Sequence, residues 1–317
     1  MPAQFILSLD CEGKWGCADA LTRTVRRELS GENLRQAYAS ILELLDDFHI
    51  PATFAFAGAF SQSPAAFARI RPELERLAEA APTYLRPALD DIAETGGDGW
   101  HGNQLIDQVT HARLHHEIAL HGVTHVPWTS VDCSFAAAEM RLFKELEGPV
   151  SGARTFVYPR NLVAHRSVLA EHGFAGFRAA RPTRSRLSSL LSEFNLLERP
   201  DAELRSDDIV TIPAGFFLNW RSGLRRAVPL FVSVARAKRL LDVAAGTGGT
   251  VHYWFHPENI ATAPATLGLF AAILREVATR GDSGTCEVLT QLDYCNRAGS
   301  RERLTTRANF AAEAAAE

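Results

Sequence analysis

Two apolar rhythms alternate along this chain. Short, nearly continuous apolar runs read as strands buried on both faces of a parallel sheet. They fall at about 3–10, 51–57, 117–121, 154–158, 174–178, 209–213, 250–256 and 286–291. Between them the 3.6-residue repeat predicts amphipathic helices, clearest over 32–48 and again near 134–147, 163–172, 230–244 and 264–279. Strand, helix, strand in succession is the rhythm of βαβ units, and so many of them predict a (β/α) barrel. Residues 58–112 break the rhythm with helical Ala/Arg/Leu/Glu segments and a polar, Gly-rich run, Glu94-Thr-Gly-Gly-Asp-Gly-Trp-His101. Such an insertion reads either as a lid or groove wall or as a peripheral decoration. The Arg/Ser-rich stretch 179–206 reads as loop and short helix without a usable motif. One domain is expected over 1–297, followed by a loose tail at 298–317.

Composition narrows the classes. A length of 317 residues suffices for one large α/β core. A formal net charge of −4 gives no reason to expect a nucleic-acid partner. No run approaches the ~20 apolar residues of a membrane span. Met-Pro-Ala-Gln leads straight into the first strand, with no basic region or cleavage site, so no secretory signal is visible. The five cysteines, at 11, 17, 133, 286 and 295, lack CxxC spacing, which argues against a disulfide framework or a cysteine-zinc site. A cytoplasmic location is the resulting expectation.

The polar residues that stand out share one position in the pattern. In Glu117-Ile-Ala-Leu-His121-Gly-Val-Thr-His125 an apolar run ends in a histidine, and a second follows four residues on. If the segment curls into a helical turn, both imidazoles face one point, and Gly122 suits the sharp exit. Two imidazoles and one carboxylate are the donor set of an open, catalytic metal site. Asp10 and Glu12 leave the first strand with the same parity, Arg160 follows the strand ending at Tyr158, and His256 closes the run Val251-His-Tyr-Trp-Phe. All six lie at or just past the C-terminal ends of strands, the face where a (β/α) barrel carries its chemistry. His252 and Trp254 lie deeper in their strand and read as core or as support for the site. His115 and His116 precede their strand and belong at the opposite end.

Ser8-Leu-Asp10-Cys-Glu12, the His121-x-x-x-His125 element and Val251-His-Tyr-Trp-Phe-His256 together resemble the polysaccharide deacetylase superfamily, the NodB-homology or carbohydrate esterase family 4 enzymes. The resemblance spans most of residues 3–291. It implies a distorted (β/α)7-type barrel with one divalent metal ion, expected to be Zn2+, with Co2+, Ni2+ or Mn2+ as alternatives. Carried over by position, it makes Glu12 the metal carboxylate, His121 and His125 the metal imidazoles, Asp10 the catalytic base and His256 the general acid. Many relatives have two adjacent aspartates where this chain has Asp-Cys-Glu, so the choice between Asp10 and Glu12 as metal ligand stays open. Tyr158-Pro-Arg160-Asn161 stands in altered form where the family has an arginine/proline motif. Arg160 is accordingly expected to orient Asp10 or to bind a substrate anion. The family's Asp/Trp motif has only a positional candidate in Phe216-Phe-Leu-Asn-Trp220.

The implied activity is hydrolysis of an amide, with N-deacetylation of an amino sugar or glycan precursor as the leading expectation. Deformylation or opening of a cyclic amide, as in allantoinases, would use the same residues. A non-catalytic carbohydrate-binding protein on a degenerate barrel is the remaining alternative. The expected partner is a small-molecule or glycan substrate.

Overall fold

The strand Ala3–Cys11 (β1) is the axis of the sheet: only Gln4 within it escapes burial. The computed structural model describes residues 2–181, 190, 192–195, 198–200 and 209–299. Most of the expected loop at 179–206 and the tail from residue 300 lie outside the described residues. Arg23–Glu28 (α1) and Gly31–Phe48 (α2) follow β1. Thr53–Phe56 (β2) is succeeded by the inserted helices Pro64–Ala80 (α3), Pro82–Thr95 (α4) and Asn103–Thr110 (α5). Next come Glu117–Leu120 (β3), Cys133–Phe143 (α6), Thr155–Phe156 (β4), Arg166–Glu171 (α7), Gly176–Arg178 (β5), Val210–Ile212 (β6) and Phe216–Phe217 (β7). Leu230–Thr247 (α8), Thr250–Phe255 (β8), Glu258–Thr262 (α9), Thr266–Asp282 (α10) and Cys286–Leu289 (β9) complete the set, before a terminal helix over 291–299.

Every strand pairing among these is parallel, in the order β6-β5-β4-β3-β2-β1-β8-β7. On one edge of β1, β9 pairs with Ala3–Ile6 and β2 with Ser8–Cys11; β8 runs along the other edge at Gln4–Leu9. The sheet curls into a distorted (β/α)7-type barrel, as the alternation predicts. Its ends, β6 and β7, are consecutive in the chain and do not pair among the described residues. The expected strands and helices are present, with short additions at β7, α1 and α9 that the apolar pattern does not single out.

Period-two alternation divides β1 between two environments. Phe5, Leu7, Leu9 and Cys11 face the helices in the main core. Ile6, Ser8 and Asp10 alternate with them and face the barrel interior, Ile6 against Ile212, Leu289 and Tyr294. Above that floor sit Ala55, Ala119 and Val157. At the bottom, buried Glu117 accepts from Thr53 Oγ1 at 2.7 Å, from the Thr155 hydroxyl, and from Leu292 N at 3.0 Å. The terminal helix thereby plugs the N-terminal end and leaves the C-terminal end to the polar groups.

Side-chain caps fix several helices: Ser30 accepts from Asn33 N, Ser63 from Ala66 N and Asp132 from Phe135 N. The insertion packs against the start of the chain. Its Gly-rich run clamps the segment that follows β1. Buried Lys14 donates from Nζ to Asp98 O at 2.6 Å and from its backbone to Gly99 O at 3.2 Å. Trp15 Nε1 donates to Trp100 O at 3.1 Å, and the two indoles meet edge to face at 5.4 Å. Trp100, fully buried, donates in turn to Asp91 at 2.7 Å. No described helix is long and apolar enough to cross a membrane.

Candidate metal centre

Backbone pairing carries β3 to His121, whose N–H donates to Phe56 O at 2.8 Å. The chain then turns, but not through the helical turn expected from the spacing. Gly122 and His125 both adopt left-handed conformations, at φ 65° and 58°. A Cβ on Gly122 would lie 3.0 Å from Pro159 Cγ, so the residue serves both the turn and the close approach. The bend is held from α6 by Glu139, fully buried, which accepts from Val123 N at 3.0 Å, Thr124 N and Oγ1 at 2.6 Å and Trp128 Nε1 at 2.5 Å. The two imidazoles consequently meet with centroids 4.9 Å apart.

Glu12 closes the set. Its Oε2 lies 3.3 Å from His121 Nε2 and also contacts His125 Nε2. The ligand atoms of Glu12, His121 and His125 all lie within 4.8 Å of one another. His121 Nδ1 sits 2.8 Å from Val157 O, a bond only an Nδ1–H can make, so a neutral ring turns its Nε2 lone pair toward Glu12. Glu12 Oε2 is buried and has no hydrogen-bond partner of good geometry. A buried, unpartnered carboxylate oxygen facing imidazole nitrogens is what a bound divalent cation would satisfy. The residues present fit such an ion. Burial opposes ionisation of Glu12, but the neighbouring His125 and His256 outweigh it and hold the carboxyl well below its ordinary range.

The segment bearing Glu12 is also pinned through its own backbone. Glu258, at the start of α9, accepts from Glu12 N at 3.2 Å and Gly13 N at 2.5 Å. Burial, reinforced by the Glu12 charge, pushes its carboxyl up to about 8.

Asp10 faces the same space from one residue pair below and is 1% exposed. Its carboxylate receives both arms of Arg178, at 2.7 and 2.6 Å. Arg178 also donates to Ser8 Oγ at 3.0 Å and Asn161 Oδ1 at 2.7 Å, and lies 4.6 Å over the Trp254 ring. Ser8 Oγ is 2.8 Å from His252 Nε2, and His252 Nδ1 is 2.7 Å from Pro213 O. With Nδ1 donating to the carbonyl, His252 accepts from Ser8, and the whole row runs in one direction. Burial, then the Arg178 charge, depresses His252 to about 3, so it stays neutral. Burial opposes the charge on Asp10, but Arg178 prevails and lowers its pKa.

His256 is a quarter exposed, with Nε2 3.3 Å from Glu12 Oε1 and Nδ1 3.4 Å from Asn259 Oδ1. Phe217 and Trp254 flank its ring at 6.0 and 5.7 Å. His116 lies at the far end of the barrel, accepting from Ala52 N at 3.2 Å.

The expectation that Arg160 orients Asp10 is corrected. Arg160 donates to Asp19 at 2.6 Å and lies 5.2 Å over Tyr84, with over a third of its side chain exposed. Its backbone is left-handed at φ 57°, which turns it out of the barrel while its neighbour Asn161 meets Arg178. Arg178 ends a short apolar strand at the same barrel face as the other residues, and that position is its one signal in the sequence. Glu139 gave a fainter sign, one carboxylate among the apolar residues of α6; Glu258 gave none beyond following His256-Pro257. Of the positional candidate 216–220, Phe217 reaches the site, while Asn219 bonds to Arg225.

No known family profile and no curated protein matches this chain. Solved structures do. A Mycobacterium smegmatis protein assigned as a polysaccharide deacetylase superposes with TM-score 0.56 and 14% identity over 95% of this chain and 92% of its own. The Puue allantoinase gives TM-score 0.53 and 14% identity, covering 93% and 90%. The fold is therefore the barrel of these two structures. At this identity the likeness defines the barrel and leaves the chemistry to the residues.

Proposed function

We propose that this protein is a metal-dependent amide hydrolase whose substrate is an N-acetylated amino sugar or glycan precursor. The observation that carries the reading is the convergence of His121, His125 and the unpartnered Glu12 Oε2 beside a buried, ionised Asp10. Glu12, His121 and His125 would hold a divalent cation, which when bound polarises an amide carbonyl and acidifies a water molecule. Asp10, its carboxylate kept anionic and aimed by the two arms of Arg178, would be the base that accepts the proton of the attacking water. His256, the partly exposed imidazole on the opposite side of Glu12, gives a proton from Nε2 to the departing amine. Phe217 and Trp254 shield that imidazole and offer flat apolar walls to a sugar ring. Zinc is the ion that two imidazoles and a carboxylate favour first.

Elemental analysis of protein purified without a metal-binding tag should find about one ion per chain, lost in His121→Ala. The loaded enzyme should release acetate from a panel of N-acetylated sugars. Metal binding without acetate release would leave the centre standing and defeat the substrate. The likeness to the allantoinase supports a second reading, opening of a cyclic amide on the same residues. Product masses separate the two.

A further inference from the structure

Only four large apolar side chains among the described residues are exposed: Phe194 at 51%, Leu224 at 80%, Leu230 at 39% and Phe231 at 72%. They share one neighbourhood. Leu224 belongs to the turn Gly223–Ala227, and Leu230 and Phe231 open α8 directly after it. Phe194 hangs beside Glu193, whose carboxylate binds Arg225 of that turn at 3.4 Å and Arg236 of α8 at 3.3 Å. Leu and Phe side chains displayed together on water are the signature of an interaction surface.

The charge around them selects the partner. Residues 221–239 hold Arg221, Arg225, Arg226, Arg236, Lys238 and Arg239 and no acidic residue, in a chain whose net charge is −4. Arg225 and Arg236 are balanced by Glu193, and Lys238 by Glu276. Arg226 and Arg239 are exposed and have no carboxylate partner among the described residues; Arg221, partly buried, bonds to the carbonyls of Val228 and Arg226. Apolar side chains at a turn and a helix start, in a segment that also exposes the Arg226 and Arg239 guanidinium groups, match the boundary between lipid acyl chains and anionic headgroups.

We propose that this patch docks the protein on an anionic lipid surface. The docked face adjoins the metal centre. Arg225 lies 5.6 Å over the Phe217 ring, which packs against His256, so the lipid surface would lie beside the barrel mouth. Docking does not rest on the hydrolase reading, because it is measured without turnover.

The test is co-sedimentation of the full chain with vesicles of phosphatidylcholine alone or mixed with phosphatidylglycerol, at low and physiological salt. Binding should require phosphatidylglycerol and weaken as salt rises. It should be lost in Leu224→Glu/Phe231→Glu and fall about tenfold or more in Arg226→Glu. Those side chains are on the surface, so the variants should fold, and hydrolysis of a soluble substrate should not change. Absence of binding to the anionic vesicles at low salt overturns the proposal. So does undiminished binding by the double variant, or a patch-dependent dimer in analytical ultracentrifugation that binds no lipid, which would make a second copy of the chain the occupant.

Discussion

Arg178 and Asp10 are each 1% exposed, and neither charge is tolerable there without the other. Removing one member of such a pair leaves a bare ion in the interior, at a cost of about 3–5 kcal/mol. Arg178→Met should therefore lower the urea midpoint by an amount of that order and strip Asp10 of the partner that keeps it ionised. Adding Asp10→Asn should restore part of the stability, a coupling that a double-mutant cycle reads directly. Arg160→Ala, by contrast, deletes a half-exposed ion pair with Asp19 and should cost less than about 1 kcal/mol. Equal losses in the two single variants would sink the assignment of Arg178 to Asp10. The difference between the arginines shows how far position in a pattern can be trusted. Counting to the end of a strand finds Asp10, His121 and His256, because strand period fixes which way a side chain points. It fails at Arg160, where two successive left-handed residues, Arg160 and Asn161, reverse the direction.

At the scale of elements, the insertion shows another limit. Its helices are legible from their apolar repeat, and caps such as Ser63 mark where they begin. Their purpose is not legible, since the Gly-rich run holds the segment after Glu12 mainly through the backbone carbonyls of Asp98, Gly99 and Trp100. Backbone acceptors carry no side-chain signature. The arrangement makes Trp100 a support for the segment that carries Glu12. Trp100→Ala should cost about 3–5 kcal/mol as a core truncation. It should also weaken zinc binding in titration calorimetry, because Trp15 and Lys14 lose the framework that fixes them. Leu274→Ala in α10, a fully buried residue remote from that segment, should lower stability without changing zinc affinity. If both variants bind zinc like the wild type, the insertion only adds core.

For the whole molecule, the two ends of the barrel answer differently to acid. At the C-terminal end Asp10 is lowered, so its contribution is present above the ordinary aspartate pKa and disappears only below it, as pH falls through the folded value. At the other end burial depresses His116 to about 4. Its unfolded imidazole takes a proton as pH falls through about 6.5, whereas the folded one stays neutral until about 4. The unfolded state therefore binds more protons in that window. Stability from this source is complete above about 6.5 and drains away on acidification, by roughly 2–3 kcal/mol at pH ~4.5. Asparagine can keep the acceptor for Ala52 N without titrating. Between pH 7.5 and 4.5, unfolding free energy from urea titration should accordingly fall less in His116→Asn than in the wild type, by about that amount. Parallel curves for the two proteins would mean that this imidazole is protonated in the folded barrel, and that the plugged end is open to water.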